Sequence, residues 1–186
     1  PLEIKNESDK KLIKSMFSQG TSLAPLAIPY LKEYFGEFEI KSSEEQLFEP
    51  IVEFEEEDYD FKGFIDLVLK TSDGKYHIVD WKTCSWGWDA RKKADPMVTY
   101  QLTLYKHYFC QKHDIDPKNV ETYFALLKRT AKKDNVEIFR VTSGTKKNKN
   151  ALNLLNKALY NINKGMFIKN RLSCSNCDFY KTRYCK

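Results

Sequence analysis

Two carboxylates and a lysine carry the chemistry of this chain. Asp66 ends Gly63-Phe64-Ile65-Asp66, and Asp80 and Lys82 lie in Ile78-Val79-Asp80-Trp81-Lys82, 14 and 16 residues further on. Both stretches read as apolar strands. Side chains alternate along a strand with period 2, so Asp80 and Lys82 share a face that Asp66 can reach from the neighbouring strand. Carboxylate oxygens are the hard ligands that Mg²⁺ takes. A cation that binds anions, set beside an ammonium, is the equipment for hydrolysing a phosphodiester. Asp-x-Lys alone is a weak signal, since an exposed ion pair at a strand end has the same appearance. The apolar context strengthens it. Carboxylates in apolar strands are costly unless something compensates them, and two on adjacent strands repel until a divalent cation intervenes.

The elements that must position these groups can be read from periodicity. Residues 7–19 carry Leu12, Ile13, Met16 and Phe17 at helical spacing behind Ser8, a candidate N-cap, and a second helix is expected from Pro25 to Tyr34, ending near Gly36. Strands are expected at 46–54, with Pro50 marking an edge or a bulge, at 60–70, and at Tyr76 to Trp81 after an Asp73-Gly74 turn. Gly63 lets a backbone or a substrate come close. Residues 83–96 read as an irregular basic loop, followed by a helix from Pro96 to His113, strands at Val120–Leu127 and Val136–Val141, and a helix from about Lys147 to Lys164 with Leu152, Leu155, Ala158, Leu159 and Ile162 as its apolar stripe. A helix between the third and fourth strands allows a right-handed crossover, which predicts an α/β fold with a mixed central β-sheet flanked by helices.

Composition sets the outer bounds. The chain has 186 residues, 41% apolar and 31% charged, and a net charge of +5. One domain with a core is expected, and no apolar run approaches the roughly 18 residues of a membrane span. The N-terminus has no signal-peptide core, so the expected location is the cytoplasm, that of the host if the chain is phage-encoded. Charge is unevenly distributed: residues 37–60 hold eleven acids and one lysine, whereas residues 128–186 hold fifteen Lys/Arg and three acids. The basic third suits nucleic acid as readily as it suits solvated helix faces. The acidic run from Glu53 to Asp60 is expected to be a solvated hairpin tip.

Gly63-x-x-Asp66, Asp80-x-Lys82 and Gln101-x-x-x-Tyr105 resemble, in order and spacing over about residues 44–110, three motifs of the PD-(D/E)XK nuclease superfamily, and within it the RecB-like and phage-type exonuclease branch. The resemblance implies a restriction-endonuclease-like domain over residues 1–166, with a Cys-containing tail, 167–186, packed on it. It implies that Asp66, Asp80 and the backbone carbonyl of Trp81 bind Mg²⁺ or Mn²⁺, and that Lys82 activates water and steadies charge on phosphorus. Gln101 and Tyr105, at i and i+4, would project from one helix face over the site. Glu49, and less so Glu45, stand where relatives often keep a supporting glutamate. One departure is visible: many RecB-like proteins have a histidine ligand soon after a Gly-Thr pair, whereas Gly20-Thr21-Ser22-Leu23-Ala24-Pro25 has none, leaving a ligand missing or supplied by a carboxylate such as Glu33.

Five cysteines in a cytoplasmic-looking chain argue against a disulfide framework. Cys174, Cys177 and Cys185 have metal-like spacing. They match the C-terminal trio of iron–sulfur RecB-like nucleases, whose fourth cysteine lies far upstream. No cysteine precedes Cys84, which sits close to Lys82. Three readings stay open: an iron–sulfur cluster with an unexpected fourth ligand, loss of the partner cysteine by truncation, and free thiols. Cys110 reads as a small buried hydrophobe.

Trp86 and Trp88 with Arg91, Lys92 and Lys93 mix indoles and cations beside the expected metal site, which suits stacking on bases and neutralising phosphates; packing of the indoles under the loop is the alternative. Lys128, Arg129, Lys132, Lys133, Lys146, Lys147 and Lys149 are further phosphate candidates. No base-reading module is present. The expectation is a Mg²⁺- or Mn²⁺-dependent deoxyribonuclease, an exonuclease of recombination, repair or phage DNA processing, with DNA as substrate and a recombination or annealing protein as candidate partner. The alternatives are a catalytically inactive DNA-binding subunit and a structure-specific endonuclease.

Overall fold

Five strands pair into one sheet in the order β1-β2-β3-β4-β5, and β2 to β5 are rich in β-branched and aromatic residues. The computed structural model describes residues 7–166, 171–183 and 185. Part of the expected tail, 167–186, lies outside the described residues. β1 (Phe38–Pro50), β2 (Asp60–Thr71) and β3 (Tyr76–Cys84) form an antiparallel meander; β4 (Val120–Lys128) lies parallel to β3, and β5 (Val136–Val141) antiparallel to β4. The parallel β3–β4 step needs a crossover, and α4 (Pro96–His113) supplies it. Asp95 starts that helix, its carboxylate accepting the Met97 amide at 2.9 Å, with Pro96 in the first turn where no N–H is needed. The mixed sheet expected from the sequence is therefore present.

Each face of the sheet has its own core. Leu47, Ile65, Ile78, Phe124 and Leu126 pack against Leu102, Tyr105, Tyr108 and Phe109 of α4 and Leu159 of α5 (Thr145–Asn163). Leu67, Leu69, Val79, Tyr123 and Ala125 pack on the other face against Leu31 of α2 (Ala27–Phe35). Both faces of β4 are buried, as its unbroken apolar run requires. α1 (Glu7–Leu23) forms where its spacing places it, but Leu12, Met16 and Phe17 of its apolar stripe are exposed.

Two sequence expectations change. β1 begins at Phe38, not 46, and Ile51 to Phe54 leave the sheet. The loop 83–96 holds the end of β3 and a short helix, α3 (Ala90–Ala94), capped by Asp89. The acidic run is the β1–β2 hairpin tip that the sequence leads one to expect, with Glu55 to Asp58 exposed, and Ile51, Phe54 and Tyr59 pack against the α4-side core. Glu53 then lies 2.9 Å from His107, and Glu56 pairs with Lys164 at 3.3 Å.

Gly63 fixes how closely α4 approaches β2. A Cβ there would stand 2.8 Å from Cε1 of Tyr105 and 3.1 Å from Cε1 of Phe61. Neither ring is free to move, since Phe61 stacks on Tyr108 with centroids 4.2 Å apart. Gly63→Ala is expected to destabilise the fold by about 1–3 kcal/mol through overpacking, measured by urea unfolding.

Candidate active site

β2 and β3 pair from Lys70↔Tyr76 to Leu67↔Val79 and then part. At the parting point the Asp66 carboxylate takes the place of a backbone acceptor, its Oδ2 receiving the Trp81 N–H at 2.7 Å. Inward alternation along β2 also breaks here. Ile65 and Val68 lie in the α4-side core, whereas Leu67 and Leu69 lie in the other. On the β1 side, Glu44 stands opposite Asp66 with a left-handed backbone, φ 52°. Such irregularities re-aim side chains near active sites.

Asp80, next along β3, is 1% exposed. Nζ of Lys82 lies 2.5 Å from its Oδ2, and this buried oxygen has no second donor among the described residues. Burial pushes the Asp80 carboxyl above the ordinary carboxylate range; Lys82 opposes the shift and the neighbouring charge of Asp66 adds to it. A divalent cation between the two aspartates would relieve both penalties. A strand residue's N–H and C=O point to the same side, so the Trp81 carbonyl faces the gap that Asp66 borders. Two carboxylates and a backbone carbonyl would thus offer oxygen donors of the kind Mg²⁺ or Mn²⁺ takes. Lys82 lies over the edge of the core, its Nζ 5.9 Å from the Phe124 ring centre. On α4, Nε2 of Gln101 donates to the Tyr105 hydroxyl at 3.1 Å, joining the two side chains on the helix face that packs over the same side of the sheet.

Other candidates are placed elsewhere. Glu49 pairs with Phe61, five residues from Asp66, roughly 16 Å along the strand. Glu45 is held by His113 at 2.5 Å and Lys112 at 3.1 Å, and its carboxyl is lowered, Ser42, His113 and Lys112 together outweighing its partial burial. Glu33 lies with Tyr30, Tyr34, Val136 and Ile138, on the far side of the sheet from α4. Among the described residues no three His, Cys, Asp or Glu converge as a metal-ligand group. That includes Cys174, Cys177 and Cys185, which are free of disulfides, so the geometry does not support an iron–sulfur cluster. Burial raises the Cys110 thiol to about 11, as suits an inert core cysteine.

The two tryptophans separate. Trp86 is 76% exposed. Trp88 packs edge-on against Phe124 and Phe139, with Lys92 Nζ 4.5 Å above its ring, and is a core residue rather than an open stacking platform. Lys93 pairs with Glu137, which also lies 3.9 Å from Lys128, whereas Arg91 is exposed. A surface not evident from the sequence forms around Trp86. Arg129 N–H donates to the Cys84 carbonyl at 2.8 Å and Thr130 N–H to the Ser85 carbonyl at 3.2 Å. These bonds fasten the β4–β5 turn to the end of β3 and set exposed Arg129, Lys132 and Lys133 next to Trp86. Lys146 and Lys149 follow the opposite end of β5.

Two outcomes follow from this geometry. Mn²⁺ at about 100 times its Kd should stabilise the protein by about 2.7 kcal/mol, seen as a rise in melting temperature that Asp66→Asn and Asp80→Asn abolish and Glu49→Gln leaves intact. Trp88→Ala should lower stability by about 2–3 kcal/mol, somewhat below a fully buried tryptophan, while Trp86→Ala leaves the melting curve unchanged and weakens single-stranded DNA binding by about 1–3 kcal/mol.

Comparison with known proteins adds to this geometry. No curated protein matches the chain. Among solved structures, "Crystal structure of SSO0001" aligns with a TM-score of 0.51 and 15% identity over 92% of this chain and 75% of that one. A protein from Eubacterium rectale, described as a "Putative exonuclease", aligns with a TM-score of 0.54 and 16% identity over 87% of this chain, which spans 58% of that protein's length. At such identities the likeness is one of fold. The model of the PD-(D/E)XK nuclease superfamily matches residues 7–185, almost the whole chain, and the protein belongs to that superfamily.

Proposed function

We propose that this protein is a Mg²⁺- or Mn²⁺-dependent deoxyribonuclease of the RecB-like type, an exonuclease acting in recombination, repair or phage DNA processing. The observation that carries the reading is the buried carboxylate of Asp80, beside Asp66 and ion-paired to Lys82 where β2 and β3 part. Order and spacing of the three motifs support the RecB-like branch, and the fold shared with the Eubacterium rectale protein described as an exonuclease supports that activity.

Asp66, Asp80 and the Trp81 carbonyl would hold the cation, which supplies Lewis acidity toward a phosphodiester oxygen and lowers the pKa of water. Lys82 is anchored beside Asp80 and supplies a positive charge where negative charge grows on phosphorus. Its Nζ also orients the attacking water in line with the leaving oxygen. The Gln101–Tyr105 pair presents an amide and a phenol held in register by their own hydrogen bond, able to donate to a phosphate oxygen. Trp86, Arg129, Lys132 and Lys133 would carry the strand to this point, neutralising phosphates and stacking a base without reading sequence.

One observation favours a second reading, a catalytically inactive DNA-binding subunit: no third side-chain ligand joins the aspartates among the described residues. Cleavage assays separate the two. Lys82→Ala should lower cleavage of end-labelled linear DNA by about 10²–10³-fold with DNA affinity retained, and circular DNA should stay intact. Wild-type protein that binds DNA but cuts neither substrate with either metal would leave the inactive subunit. Cutting of circles would identify an endonuclease.

A further inference from the structure

A pocket of about 260 Å³ opens beside the catalytic strand, on the side of the sheet away from Lys82. It is bounded by Met16, Gln19, Gly20, Leu23 and Ala24 around the end of α1, and by Thr83, Leu127 and Arg129 at the carboxyl ends of β3 and β4. Thr83 directly follows Lys82, so the pocket and the lysine flank the same point of one strand. In open α/β sheets, ligands settle outside the carboxyl ends of parallel strands, and β3–β4 is the parallel pair of this sheet.

The lining is mostly apolar, with a small set of polar groups. Gln19 Nε2 donates to the Ser15 hydroxyl at 3.2 Å, while its Oε1 is buried without a donor. Arg129 is exposed at the rim, and no carboxylate pairs with it among the described residues. Met16 and Leu127 offer flat apolar contact. Outside the rim stand Trp86, Lys132 and Lys133, a cationic and aromatic approach that complements a polyanion.

We propose that this pocket is a nucleobase subsite: it takes one unstacked base of the DNA strand, next to the phosphodiester presented to Lys82, with Arg129 holding the adjoining phosphate. The proposal rests on the nuclease reading and narrows its substrate class. A paired base cannot leave its stack without an energetic cost. The pocket therefore selects single-stranded or frayed ends.

Gly20 provides the test. A Cβ added there meets nothing within 4 Å, so Gly20→Leu fills the pocket without a clash and replaces a poor helix former with a good one. Binding is measured by fluorescence anisotropy in EDTA, with oligo(dC) and a fully abasic strand of equal length and charge. Wild type should bind oligo(dC) about tenfold more tightly than Gly20→Leu does, a modest share of a base-stacking contact, while both bind the abasic strand equally. Gly20→Ala should match wild type. Equal affinities of wild type and Gly20→Leu for oligo(dC) would overturn the subsite, and so would an equal loss on the abasic strand. Because no metal is present, the result stands whether or not the protein cleaves. Failure of the nuclease reading shows separately, as absence of Lys82-dependent cleavage.

Discussion

The Trp81 amide hydrogen, taken by the Asp66 carboxylate at 2.7 Å, holds β3 to β2 at the place where their backbones stop pairing. A carboxylate can bridge that gap because it reaches from a side chain and accepts in more than one direction. With the backbone ladder ended, the strands diverge and leave a gap lined by oxygen atoms. Asp80 enters it buried, at a cost that an exposed strand end would not incur. Lys82 offsets part of the cost, and a cation would offset the rest. The left-handed Glu44 opposite Asp66 belongs to the same distortion, since a regular β1 would keep β2 in strict alternation. Gly63 completes the arrangement by letting the Tyr105 ring lie against β2, so that the phenol and Gln101 stand over the aspartates' side of the sheet.

Charge is distributed to match. Among the acids of residues 51–60, which could repel a DNA strand, Glu53 meets His107 and Glu56 meets Lys164, while Glu55, Glu57 and Asp58 stay exposed. Glu137 draws Lys93 and Lys128 inward. The cations left for a partner stand on the β4–β5 turn, and two backbone hydrogen bonds fasten that turn to the strand end carrying Trp86. Net charge does little to locate this surface. Which lysines are already paired locates it better.

How much of this the sequence discloses depends on the range of the interactions involved. Period-2 and period-3.6 patterns placed β2, β3, β4, β5 and the crossover helix, because those elements bury their apolar residues regularly. The same regularity misled where it broke. β1 starts at Phe38, in a stretch of charged and hydroxylated residues where alternation is faint. The change of face at Asp66 cannot be seen in a sequence, because period 2 assumes an unbroken strand. Glu49 and Glu45 look alike in sequence. Register sets the first roughly 16 Å along the strand from Asp66, and long-range partners occupy the second. Trp86 and Trp88, two residues apart, diverge because Phe124 and Phe139 of distant strands receive only one of them.

The short donor set has a thermodynamic consequence of its own. Mg²⁺ is commonly held by one or two carboxylates with the remaining positions filled by water and substrate phosphate. In the proposed nuclease, with Asp66 and Asp80 as side-chain ligands and no third converging among the described residues, a DNA phosphate supplies oxygen the protein lacks. Cation and strand then each raise the other's affinity by the same factor, since coupling between two ligands is reciprocal. A missing histidine therefore weakens retention of metal by the free protein more than it weakens the assembled complex. The gap in the donor set is compatible with catalysis so long as the DNA path delivers a phosphate to it. The cationic turn beside Trp86 and the pocket next to Thr83 lie where they can align that strand.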